Sequence, residues 1–487
     1  MEQFITWKDF VLTPFYFVIF YGIARSLADS IKDRAMRKYF LPAYLLKMSG
    51  GVAVGLVYQY YYGGGYDTYY YFIDGTIIYE AFLTDTMYAF ELIFGECKRF
   101  DAELNPWSGR LAYWDDPPTY MISRFSGFFG IFTFATYSVT ALFFATFSFY
   151  GSWQMYRVFC HIYPHMKKEM AIACFFFPSV FFWGSGVLKD SITFGCLGLC
   201  VYGFYYGFLI KSKKRYATIA IFFIAVFLLK SIKIYILMCL IPSLAYWAFS
   251  RYAKKIDNGL IRFMSGPFFI VIFGVASYML LERLVAGTEY DLNNIAKEIK
   301  ITSDYLRKIS KEGSFYYFGE LDGTFNGMLQ YYVPAVLTTL YRPGIWEARN
   351  PLMIIAALEN GYLMVLTIAV FIRTSPIKVL KSLGKEEIVP IALIFTLSFS
   401  FFVGLASANF GTLVRYKIPM MPFYVAFVYV IYQQNFVLAK RKSIKAIVEK
   451  PKIDDENTDN TPKTSPEQDI QDSYAINLAS FRRNVKT

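Results

Sequence analysis

Long apolar runs of about 18 to 22 residues, without two-residue alternation, alternate with short basic stretches along most of the chain. A helix of that length crosses a bilayer hydrocarbon core of about 30 Å. Only helices and closed barrels satisfy their backbone in lipid, and continuous rather than alternating runs select helices. The runs fall at 11–28, 41–62, 125–147, 170–187, 191–210, a pair within 216–249, 263–281, 351–372, 388–406 and 418–438. They predict an all-α polytopic membrane protein of about 11 transmembrane helices, with two large outer loops, 63–124 and 282–350, containing short helices.

The stretch 216–249 is too long for one span and places Lys230 and Lys233 at its midpoint. Two short spans with a turn at the outer face keep both lysines away from the bilayer centre, which predicts a break there. Glu359 and Asn360 interrupt the run at 351–372, so either they line a cavity or that span begins later. From 440 onward the chain is polar, Pro- and Thr-containing and nearly free of aromatics, which predicts a disordered tail over 440–487 behind a transmembrane domain 1–439. No internal repeat stands out.

Composition sharpens this reading. Of 487 residues, 56% are hydrophobic, 20% aromatic and 18% charged, more apolar than a soluble protein of this length requires. The net charge of +12 does not point to nucleic acid, because Lys and Arg gather in short loops such as "KSKKR" and "RYAKK". That is the positive-inside pattern; it puts the C-terminus in the cytoplasm and, with an odd span count, the N-terminus outside. No cleavable signal peptide is evident, and the first apolar run is expected to remain as an anchor. None of the six cysteines forms a CxxC pair, so no disulfide framework is implied. His161 and His165 flank Pro164 without an HExxH glutamate, and no metal ligands are assigned.

On this topology the conspicuous polar residues collect on the outer side: Asp67, Asp74, Asp115, Asp116, Lys189, Asp190, Lys230, Lys233, Arg342 and Arg415. Ionisable groups in or beside spans are costly, and each is a functional candidate. Asp67 follows three glycines, Gly63 to Gly65, and stands among tyrosines; partial desolvation there makes a carboxylate a better general base. An interfacial tyrosine belt with a solvated Asp67 is the plain alternative. Arg415 and Lys417, in "NFGTLVRYKIPMMPFY", either meet phosphate oxygens or reach lipid headgroups.

Three stretches carry a family resemblance. "GYDTYYYFIDGTIIYE" resembles the start of the first large outer loop of GT-C-fold glycosyltransferases. The segment from "DDPPTYMISRF" resembles the family's next block, and "FFFPSVFFWGSGVLKDSITFG" its Pro-containing span with an Asp-bearing turn. The likeness runs from 51 to 210 in family order. It implies a membrane glycosyltransferase of the bacterial inner (plasma) membrane, using a polyprenyl-phosphate-linked sugar as donor and a surface-glycan, lipid or protein as acceptor. Asp67 would be the catalytic base. Lys189, Lys230, Lys233 and Arg415 would meet the phosphate, and Asp74, Asp190 and Arg342 are counted with them as substrate-site candidates. The pattern departs at two points: an extra span precedes the acidic loop, and Thr68 stands where a second acid is usual. No cofactor follows, and a divalent cation is not indicated.

Other classes fit the same chain. A polysaccharide repeat-unit polymerase would lean on outward arginines, of which 282–350 supplies Arg307, Arg342 and Arg349. A transporter or flippase would show inverted repeats and broken helices. A scaffold of surface-glycan assembly needs no catalytic acid.

Overall fold

The computed structural model describes residues 3–97, 105–253, 255, 279, 282–283, 294–310, 315–374 and 376–433. The expected span at 263–281, apart from residue 279, and the tail 440–487 lie outside the described residues, as does the end of the run at 418–438. Helices dominate the described residues. Six are long and apolar enough to cross a membrane: Trp7–Asp29, Arg34–Tyr61, Lys189–Leu209, Arg215–Ala253, Pro351–Ile372 and Ile388–Ser407. A seventh is added if the bent pair Pro117–Thr133 and Tyr137–Ile162 counts as one span. The chain is thus a helical membrane protein, and about eleven spans exceed what these residues build.

Two expected spans are remade by local backbone. The run at 125–147 is not one helix: the chain bends by 116° between Thr133 and Tyr137. Phe134 and Ala135 take left-handed conformations, φ 53° and 48°. No glycine or proline marks this break. Across it the Thr133 and Thr140 hydroxyls share a buried 2.8 Å hydrogen bond, and Tyr16 donates to the Phe132 carbonyl at 2.6 Å. The run at 170–187 divides into Lys167–Phe175 and Pro178–Phe182, because a proline lacks the N–H to continue a helix and suits its first turn. The expected break in 216–249 falls on Lys233, the one residue of Arg215–Ala253 outside helical geometry, at φ −145° and ψ 76°.

Close packing rests on small residues, as expected where no hydrophobic difference between lipid and protein drives association. A Cβ on Gly151 would lie 1.9 Å from the Gly195 carbonyl oxygen, so Tyr137–Ile162 and Lys189–Phe204 meet backbone to backbone. The described residues of 63–124 are largely helical. Helices Asp67–Thr84 and Pro117–Thr133 pack tightly, Gly75 against Ser126 and Gly127 against Ile78. By contrast, Trp7–Asp29 leaves Trp7, Phe10, Phe15, Val18, Ile23 and Leu27 exposed. A row of that size suits contact with lipid. Its first turn is tied inward, where Asp9 accepts from the Ser138 backbone N–H at 2.7 Å.

Candidate functional site

Four distant segments converge on one ion cluster. The first begins at the glycines. Gly63, Gly64 and Gly65 have φ of 82°, 78° and 77°, and Tyr66 continues the run at φ 71° and ψ 176°. Four successive positive-φ residues bring Asp67 to the first position of its helix. Tyr66 occupies a region that side-chain-bearing residues avoid, at a cost of about 1–3 kcal/mol.

The second and third segments are helix Lys189–Phe204, with Asp190 in its first turn, and the kink at Lys233. The fourth is helix Phe410–Tyr416, capped by Asn409, whose Oδ1 accepts from the Gly411 N–H at 2.7 Å. That cap orients the turn carrying Arg415.

Arg415 binds them together. Its Nη2 donates to Asp67 Oδ2 at 3.1 Å, its Nε to Asp190 Oδ2 at 3.2 Å and its Nη1 to the Tyr58 hydroxyl at 3.2 Å. The guanidinium also lies 5.9 Å from the Trp183 ring centroid. Lys233 Nζ donates to the other oxygen of Asp190, Oδ1, at 2.6 Å and sits 4.7 Å from the Tyr416 ring. Asp190 is therefore held by two cations and only 2% exposed at its side chain, whereas Asp67 remains 47% exposed. Asp67 is thus half-covered, with a cation as its partner and its remaining surface open. Lys189 Nζ donates to Thr119 Oγ1 at 2.6 Å, and Thr119 in turn donates to Asp116, the cap of its helix.

Two hollows flank the cluster. One, about 150 Å³, is lined by Lys189, Lys233, Tyr416 and Glu298, with Ile232, Ile299 and Phe402 among its apolar residues. The other, about 390 Å³, is lined by Tyr61, Tyr62, Tyr66, Trp183, Asn350 and Asn409, with Phe410 and Val414 behind.

Of the expected site residues, Asp67, Lys189, Asp190, Lys233 and Arg415 meet here. Asp74 stands apart. Its oxygens accept from the Ala112 N–H at 2.7 Å, the Tyr113 N–H at 3.3 Å and Ser123 Oγ at 2.8 Å. Burial raises its pKa above the ordinary carboxylate value despite these bonds, and it anchors the 111–113 turn to the helix pair. Arg342 is engaged by Glu347, Nε to Oε1 at 2.9 Å, with Tyr316 and Phe410 rings about it. Burial alone would raise Glu347, yet the Arg342 bonds and the Gly344 N–H hold it below its usual value. Lys230 is exposed and makes no part of the cluster.

A second buried polar set joins Glu359, Asn360 and Lys417, and Lys47, which is not among the candidates read from the sequence, is buried as well. Lys417 is fully buried, bonded to Asn360 and 3.7 Å from Glu359, so it does not reach lipid headgroups. Glu359 accepts from the Ser179 N–H at 2.7 Å and its hydroxyl at 2.8 Å, which explains how Pro351–Arg373 carries an acid without interruption. Lys47, in the middle of Arg34–Tyr61, donates to Ser148 Oγ at 2.8 Å and to the Val180 and Gly184 carbonyls at 3.0 and 2.7 Å. A lone lysine inside an apolar run is the signal that marks it.

Among the described residues no group of three or more His, Cys, Asp or Glu side chains could hold a metal ion. No known protein family matches the chain, and neither does any curated protein or solved structure.

Proposed function

We propose that the protein is a membrane glycosyltransferase, moving a sugar from a polyprenyl-phosphate donor to a glycan, lipid or protein acceptor at the outer face of a bacterial inner membrane. The observation that carries this reading is the half-open Asp67 carboxylate held by Arg415, itself anchored on the buried Asp190, with two lysines beside it. An acid open to ligand next to fixed cations is the equipment of a displacement at a phosphate-bearing carbon.

In this mechanism the acceptor hydroxyl oxygen bonds to the anomeric carbon as the bond from that carbon to the phosphate oxygen breaks. The hydroxyl proton passes to Asp67, and the electron pair leaves with the polyprenyl phosphate. Arg415, Lys189 and Lys233 stabilise that leaving group. The phosphate also draws the guanidinium away from Asp67, which frees the carboxylate to take the proton. Arg suits this exchange because its planar fork matches either oxyanion.

The test compares surface glycan in cells with the native gene, Asp67→Asn or a deletion, at matched membrane levels. Asp67→Asn is expected to reproduce the deletion's missing sugar. A normal glycan in Asp67→Asn beside a defective one in the deletion and in Arg415→Lys favours an arginine-led polymerase. Normal glycan in the deletion removes the enzyme reading altogether.

A further inference from the structure

The larger hollow is a different chemical environment from the ion cluster beside it. Its described lining has no carboxylate, ammonium or guanidinium; it consists of aromatic rings, amides, a Ser310 hydroxyl and apolar side chains. Two cations beside its lining rings are already engaged: Arg342, 5.1 Å from the Phe410 ring centroid, by Glu347, and Arg415, 5.9 Å from the Trp183 ring centroid, by Asp67 and Asp190. A charged ligand would find no counter-charge of its own here, so the cleft disfavours carboxylates and phosphates.

What it offers is flat apolar faces with polar edges. Tyr62 and Tyr66 are 38% and 59% exposed, with ring centroids 5.8 Å apart, and Trp183 closes the inner end. Asn350 uses Oδ1 to cap its helix on the Met353 N–H at 2.9 Å, which leaves its amide donors for a ligand. An acyl chain would waste those donors, whereas a sugar ring has a C–H face for the rings and hydroxyls for the amide. At about 390 Å³ the cleft is within the range of small-molecule sites, about 300–1,000 Å³.

The backbone supplies an independent sign of function. Tyr66 is held at φ 71° and ψ 176°, where glycine would sit without strain, and three glycines precede it. Keeping a tyrosine there opposes stability, and such strain is retained where the side chain has a task. Its ring forms the mouth of the cleft one residue before Asp67.

We propose that this cleft binds a neutral pyranose saccharide, which is the acceptor of the transfer proposed above. The proposal rests on that reading for the word acceptor; saccharide binding itself does not. The geometry then divides the labour: neutral acceptor in the aromatic cleft, phosphate in the lysine-lined hollow, with Asp67 and Arg415 between.

The test uses the full chain in a detergent without a sugar headgroup and saturation-transfer NMR with cellobiose, chitobiose and glucuronic acid as probes. Saturation is expected to reach the ring protons of at least one neutral disaccharide at millimolar concentration, with glucuronic acid weaker. Tyr66→Gly should weaken binding about tenfold while raising thermal stability, a combination that a merely structural tyrosine would not produce. Tyr62→Ala, at a half-exposed position, provides a second loss of ring face. The proposal is overturned if neither disaccharide binds the folded protein, if glucuronic acid binds as well as they do, or if both variants bind like the native chain. No bond is made in this measurement, so it stands apart from the transfer reaction. A glycan defect in Asp67→Asn without saccharide binding would sink this inference alone. Saccharide binding with normal glycan in Asp67→Asn would sink the transferase reading and leave the cleft.

Discussion

The Arg415 guanidinium reaches Asp190 Oδ2 at 3.2 Å across 225 residues of chain, and the same group holds Asp67. Asp190 is almost wholly buried, so Arg415 has an anchored side and an open side. Removing the fork while keeping the charge tests this division. Arg415→Lys should remain folded, because Lys233 still compensates Asp190, yet lose transfer, because one ammonium cannot hold two carboxylates and then a phosphate. Equal thermal stability with glycan loss is the expected pair of results; normal glycan would assign Arg415 to packing only.

The Asp190–Lys233 pair makes a sharper stability prediction. With side chains 2% and 7% exposed, it is a buried ion pair, and removing Lys233 leaves Asp190 to Arg415 alone. Lys233→Met should lower stability, by less than the roughly 3–5 kcal/mol of a buried pair broken outright, because Arg415 still faces Asp190. Lys233→Met combined with Asp190→Leu should recover much of that loss, though Arg415 then loses its anchor and activity does not return. A double-mutant cycle followed by thermal unfolding in detergent gives the coupling directly. Additive losses would mean that the two side chains do not depend on each other.

The glycine turn separates backbone cost from side-chain collision. Gly65 has φ 77°, and a Cβ built on it meets nothing within 4 Å. Gly65→Ala therefore adds no clash, and its expected penalty is the left-handed conformation alone, about 1–2 kcal/mol. Gly151→Ala, which would press on the Gly195 carbonyl, should cost far more or prevent folding. Similar melting shifts for the two would contradict the close approach of those helices.

Away from the site, Asp33 caps helix Arg34–Leu56 and pairs with Lys167 at 2.5 Å. The Lys167 hydrogen bond, opposed by burial and assisted by the Met36 and Ala35 N–H groups, holds the carboxyl below its ordinary value of 3.8. A carboxylate depressed on folding stabilises the native state fully above its unfolded value and loses that contribution as pH falls through the folded one. Native protein should thus lose melting temperature below about pH 4. Asp33→Asn should show a shallower fall over that window and a lower melting temperature at neutral pH. An unchanged acid limb would show that the pair contributes nothing.

The sequence by itself determined that this chain is helical and built for a bilayer, because run length and apolarity are local and set where a helix can cross. It also exposed Asp67, Lys189, Asp190, Lys233 and Arg415, since charges beside apolar runs are costly enough to stand out. Which charges meet was not local. Arg342 and Lys230 carry the same signal, yet one is paired to Glu347 and the other is exposed. The bend at Phe134 and Ala135 has no glycine or proline to announce it; it is held by the Thr133–Thr140 bond and by Tyr16 from the first helix. Glu359 reads as an interruption until Ser179 and Lys417 arrive from other segments to satisfy it. Only the tertiary structure decides such matters, because a buried charge is stabilised by whichever partner the packing brings within about 4 Å, and chain separation carries no information about that distance.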